Sequence, residues 1–149
     1  MHPNQDMYDS DPVTLMEHMI EKLNSRDIGY MHVVEIGTFD HEAETKKKGY
    51  PVRNFNGTIR KTLKHKFKGT WIANTGMTFD LGNKTLIDNE ADLVAFGSLF
   101  IANDNLVDKF KSGALLNDIK YCDKKLLRKY LYNPIEEGYI DLSMFEPPK

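Results

Sequence analysis

Two short stretches carry residues suited to holding an anion: Asn74-Thr75-Gly76-Met77 and Gly97-Ser98. Each follows a brief apolar run, Thr70-Trp71-Ile72-Ala73 in one case and Leu93-Val94-Ala95-Phe96 in the other. Glycine after a strand lets backbone N–H groups come close to a phosphate, and the helix N-terminus that follows adds a favourable dipole. A tight turn explains one such glycine equally well. Two in consecutive units keep both readings open, because loops after neighbouring barrel strands often build phosphate sites in this way.

Other chemically capable residues lead less far. His32 sits within the apolar run Tyr30 to Val34 and reads first as a satisfied structural histidine. Glu35, at the carboxyl end of that run, is better placed for function, yet the sequence offers it no partner. His18, His41 and His65 show no metal-ligand spacing with any Cys, Asp or Glu. No GxSxG, P-loop or GxGxxG motif occurs. Tyr130, Tyr132 and Tyr139 cluster late in the chain, where they pack or line a ligand site.

The elements that must position these residues alternate. Ser10-Asp11-Pro12 is a helix start, a capping side chain followed by proline in the first turn. Leu15, Met16, Met19, Ile20 and Leu23 then recur at helical spacing. After the strand at Tyr30 comes a polar loop from Gly37 to Asn54. A second helix bears Ile59, Leu63 and Phe67 on one face, with Gly69 in a C′-like position. A third helix is expected between Phe79 and Asn89. A fourth, capped by Asn103 or Asp104, carries Leu106, Val107 and Phe110 and stops at Gly113. Strands with almost no polar alternation, separated by helices, predict a parallel sheet buried on both faces, which is an α/β architecture. The chain reads as one domain: βα units over 10–116, then a tail over 117–149 with a helix near Asp123 to Tyr132.

Bulk properties narrow the partners. The 149 residues carry 20 Lys+Arg against 22 Asp+Glu, a net charge of −2 that gives no reason to expect nucleic acid or an anionic membrane. The basic run Lys46 to Lys48 and the cluster from Lys61 to Lys68 read as solvated faces. Cys122 is the single cysteine, so no intrachain disulfide can form, and it has no CxxC context. No apolar run approaches the roughly 20 residues of a membrane span, and the acidic start lacks the features of a signal peptide. A cytoplasmic location is the expectation.

Five ordered segments resemble the closing half of the Old Yellow Enzyme family. They are Tyr30 to Glu35, Phe67 to Thr78, Ala91 to Asn103, Leu106 to Asn117 and Glu137 to Asp141. The resemblance implies a partial (β/α)8 TIM barrel, with strands six to eight and their helices plus a C-terminal tail. It also implies FMN as cofactor, NAD(P)H as hydride donor, and reduction of the activated C=C bond of a small enone. By position, Asn74, Thr75, Gly76 and Met77 would place backbone groups around the flavin phosphate, with Gly97 and Ser98 contributing from the next loop. Tyr132 matches a tyrosine that lines the family's substrate pocket.

Departures from the family pattern matter. Ser98 stands where an arginine usually grips the phosphate, a charge-assisted contact worth about 1.5–3 kcal/mol. Asp141-Leu142-Ser143 replaces a terminal Asp-Tyr-Pro. The family's catalytic residues lie on earlier strands, so no catalytic residue is assigned here. A complete barrel typically takes about 250 residues, which predicts open sheet edges and either an N-terminal half-barrel partner or a homo-oligomer. The alternative is a non-catalytic half-barrel that binds or scaffolds.

Overall fold

The structure, a computed structural model, describes residues 11–35 and 58–117. Several expectations lie outside them: the loop from Gly37 to Asn54, the Lys46 to Lys48 run, His41, Cys122, the helix near Asp123 to Tyr132, and Tyr130, Tyr132 and Tyr139. The elements are α1 (Pro12–Asn24), β1 (Tyr30–Val34), α2 (Thr58–Leu63) with a 3-10 turn at Lys64–Lys66, β2 (Thr70–Asn74), α3 (Phe79–Ile87), β3 (Leu93–Val94), α4 (Ser98–Ala102) and α5 (Leu106–Ser112). The chain divides into two compact units between Ala95 and Phe96. The first holds α1 to β3; the second holds α4 and α5.

Local chemistry sets the element ends in the first unit. The Asp11 carboxylate caps α1, accepting from the Thr14 amide at 3.3 Å and the Thr14 hydroxyl at 2.7 Å, with Pro12 in the first turn as expected. At the other end Asn24 donates to the Lys66 carbonyl (2.8 Å) and accepts from the Lys68 amide (3.0 Å). One side chain thereby ties the end of α1 to the approach to β2. Thr78 caps α3 by accepting from the Leu81 amide at 3.2 Å.

The three strands form a parallel sheet in the order β1-β2-β3. Register runs from Tyr30 opposite Thr70 to Val34 opposite Asn74, and Ile72 lies opposite Leu93. Helices intervene between strands, as the alternation predicts. Burial on both faces is not found. Met31, Val33, Trp71 and Ala73 are buried, whereas Tyr30, Val34 and Leu93 are 64%, 55% and 53% exposed. The pleat sends successive side chains to opposite faces, and only one face shares the core with Ile20, Ile59, Leu63 and Phe67. A covered face towards helices and an open face opposite is the layering of a barrel wall.

Trp71 centres this core at 0% exposure, with the Phe67 ring packed edge-on at 6.5 Å between centroids. Asp92 clips the start of β3 to the start of β2. Its carboxylate accepts from the Trp71 amide at 2.8 Å, and its own amide donates to the Trp71 carbonyl at 2.9 Å.

Three local expectations need correction. Gly69 does not end a helix in a left-handed conformation, since α2 and its 3-10 turn stop at Lys66. Glycine is required there because a Cβ would lie 2.6 Å from both the Gly29 and Ile28 carbonyl oxygens. Strand β3 has two residues rather than four, although the Ala95 amide still donates to the Ala73 carbonyl at 2.9 Å. A short helix that the sequence pattern does not predict, α4, precedes the expected fourth one, and the cap of α5 is Asn105, at φ 51°, rather than Asn103 or Asp104. Asn tolerates that left-handed geometry better than most residues. Asn103 is instead fully buried and knots the second unit together. It donates to the Leu99 and Asn117 carbonyls, both at 3.1 Å, and accepts from the Asn117 amide at 2.7 Å.

Candidate functional site

The corner that ends β2 is built from Asn74, Thr75, Gly76 and Met77. Thr75 has φ 88° and Gly76 φ 62°, so two consecutive residues lie in the left-handed region. For a β-branched residue that geometry costs on the order of 1–3 kcal/mol. Asn74 offsets part of the cost: its Oδ1 accepts from the Thr75 amide at 2.6 Å. Its Nδ2 lies 3.0 Å from His32 Nε2 on the neighbouring strand. Met77 turns into the core, 7% exposed, and Thr78 then starts α3. Among the described residues, no hydrogen bond engages the backbone amide of Gly76 or Met77. The result is a tight corner with two unengaged donors, one turn before a nine-residue helix.

The second corner, in the second unit, is different. Gly97 has φ −97° and ψ −78°, and a Cβ there would meet nothing within 4 Å. Its carbonyl accepts from the Phe100 and Ile101 amides at 3.0 and 3.2 Å, which starts α4 at Ser98. Neither backbone strain nor internal packing therefore demands glycine at this position. Ser98 supplies a hydroxyl but no cation.

His32 lies on the open face of the sheet and is satisfied by Asn74, in agreement with the structural reading of this residue. Glu35 acquires the partner that sequence could not supply. It is buried, accepts from the Arg60 amide at 2.6 Å and pairs with the Arg60 guanidinium. Arg60, itself 7% exposed, also donates from Nε to Glu90 at 3.1 Å. Burial holds the Glu35 carboxyl above its ordinary range, and the Arg60 amide and charge offset this only in part. The triad ties the end of β1 to the first turn of α2 and to the turn before β3. That is a structural task, and only an Arg twenty-five residues further on could have hinted at it.

Among the described residues no cluster of three or more His, Cys, Asp or Glu could hold a metal, and no helix is long and apolar enough to cross a membrane.

No protein-family model matches the chain. Rice 12-oxophytodienoate reductase 7 is 32% identical over 97% of the chain and 36% of its own length. Rice 12-oxophytodienoate reductase 1 is 35% identical over 95% of the chain and 33% of its own length. Among solved structures, morphinone reductase superposes with a TM-score of 0.69 at 27% identity, over 91% of the chain and 32% of that protein. The chain is a partial relative of the Old Yellow Enzyme family. The old yellow enzyme from Trypanosoma cruzi shares the fold at a TM-score of 0.69 and 22% identity. These relatives are barrels, and the three-stranded parallel sheet is the corresponding part of one. The chain spans about a third of the length of the relatives it matches.

Proposed function

We propose that this Old Yellow Enzyme relative supplies the flavin-phosphate corner of an FMN-dependent oxidoreductase that reduces the activated C=C bond of a small enone with NAD(P)H. The observation that carries the proposal is the Asn74 to Met77 corner. Its unengaged Gly76 and Met77 amides suit a dianionic phosphate, and the α3 N-terminus favours negative charge nearby. By resemblance, Gly97 and Ser98 are further candidates for a phosphate contact, with a hydroxyl in place of a guanidinium. Tyr132, outside the described residues, is the candidate for the wall of the substrate pocket. Bound FMN would supply the hydride relay between nicotinamide and substrate. The residues of this chain would hold and orient it, and none of them is assigned a catalytic step.

Completing the pocket takes the remainder of a barrel, either as an N-terminal half or through association of open sheet edges. A cytoplasmic setting goes with the reading, since a lone cysteine suits a reducing compartment. The second reading, a non-catalytic half-barrel that binds or scaffolds, is favoured by Ser98, because a lost charge-assisted contact weakens the grip by about one to two decades.

Titration of the purified chain with FMN and, separately, with riboflavin tests the proposal through flavin fluorescence. The expected result is measurable FMN binding, with riboflavin, which lacks the phosphate, at least tenfold weaker. Equal affinity for the two flavins overturns the phosphate assignment, and binding of neither favours the scaffolding reading.

A further inference from the structure

Asn74 has one carboxamide and two demands on it. Its oxygen is committed to the Thr75 amide at 2.6 Å, so the group facing His32 must be the NH2. Flipping the amide would set its NH2 against the Thr75 N–H, donor against donor. His32 Nε2, 3.0 Å from Asn74 Nδ2, is therefore the acceptor, which leaves the ring's proton on Nδ1. The two residues sit on adjacent strands, β1 and β2, and both project from the open face of the sheet.

We infer that His32 is a positioning residue for the anion-binding corner: by accepting from Asn74 it fixes the carboxamide that caps Thr75 and so sets the aim of the Gly76 and Met77 amides. The inference rests on the proposed function for its ligand, but not for its mechanics. Thr75 occupies a backbone region that a β-branched residue does not favour. Its one side-chain tether is Asn74, and the only described partner of the Asn74 NH2 is His32. Release of that NH2 frees the carboxamide to rotate, uncaps the Thr75 amide and lets the two following amides splay. His32 is exposed and lies on the face of the sheet opposite Trp71, so its loss leaves the core intact.

Two variants and two readouts test this. His32→Leu removes the acceptor, whereas His32→Gln keeps an amide oxygen able to accept. Hydrogen exchange at the Thr75 amide reads the corner without any ligand, and titration with FMN and riboflavin reads its consequence. In His32→Leu, Thr75 exchange should accelerate and FMN affinity should fall by about three- to tenfold, the span set by one hydrogen bond. Riboflavin affinity should not change, and His32→Gln should recover most of both effects. Thr75 exchange in His32→Leu within twofold of the parent overturns the inference, whatever the flavins do. Faster exchange with unaltered FMN affinity overturns the link to ligand binding. A parent chain that fails to distinguish FMN from riboflavin removes the phosphate reading alone, because Thr75 exchange still decides the role of His32.

Discussion

Replacing Arg60 with methionine exposes what the buried triad contributes. The guanidinium is almost completely enclosed, with its side chain 8% exposed, and it serves Glu35 and Glu90, whose side chains are 4% and 15% exposed. Met fills much of the same volume but compensates neither carboxylate. Removing one partner of a buried ion pair typically costs about 3–5 kcal/mol. Lys61, 3.6 Å from Glu90 but largely exposed, softens the loss on that side only. A value near the lower end of the range, about 3 kcal/mol, is therefore expected, a large share of the roughly 5–15 kcal/mol that stabilises a typical domain. For a chain of this size it corresponds to a fall of about 6–12 °C in Tm. Trp71 is the only tryptophan and is fully buried in the same unit, so urea unfolding followed by its fluorescence reports the change directly. The dependence on pH is also fixed in sign. The Glu35 carboxyl is held above its ordinary value of 4.5, by burial first, with Arg60 opposing. A raised value in the folded state gives stability that is present below 4.5 and lost as pH rises through the folded value. Without Arg60 the upward push is stronger, so the deficit of Arg60→Met should be smaller at pH 5 than at pH 7. The double variant Arg60→Met with Glu35→Met should recover much of the loss. A deficit under about 1 kcal/mol at pH 7, or one that grows on acidification, would refute this account of the triad.

Other substitutions probe the frame and the corner separately. Gly69→Ala places a Cβ 2.6 Å from two backbone carbonyl oxygens, and thermal denaturation should show a loss of about 1–3 kcal/mol, the usual cost of overpacking; an unchanged Tm would mean that the β1–β2 approach is more yielding. Burial alone would raise the Asp92 carboxyl, but the Lys64 ammonium at 2.8 Å and the Trp71 amide outweigh it and hold it below its ordinary value of 3.8. Its stabilisation is thus present above 3.8 and lost as pH falls through the folded value, so Asp92→Asn should flatten the acid limb of a stability-against-pH curve. Ser98→Arg restores a cation beside Gly97 and should tighten FMN binding by about one to two decades, measured by fluorescence titration, with riboflavin unaffected.

The amino-acid sequence alone determined the alternation of elements and the parallel sheet. Its signals are local: Asp11 and Pro12 start a helix, Ile59 and Leu63 recur at helical spacing on one buried face, and short apolar runs separated by helices suit a parallel sheet. The order of segments then carried the family relationship. Tertiary structure decided which face of the sheet is covered, because a strand's alternation shows two faces without saying what packs on either. It decided why Gly69 is glycine, since the obstructing carbonyls belong to a turn forty residues earlier. It also converted Glu35 from a lone acid into one arm of a buried triad and gave His32 a partner in Asn74, forty-two residues away. Contacts of that sequence separation are made by folding, and no spacing rule within a helix or a strand encodes them.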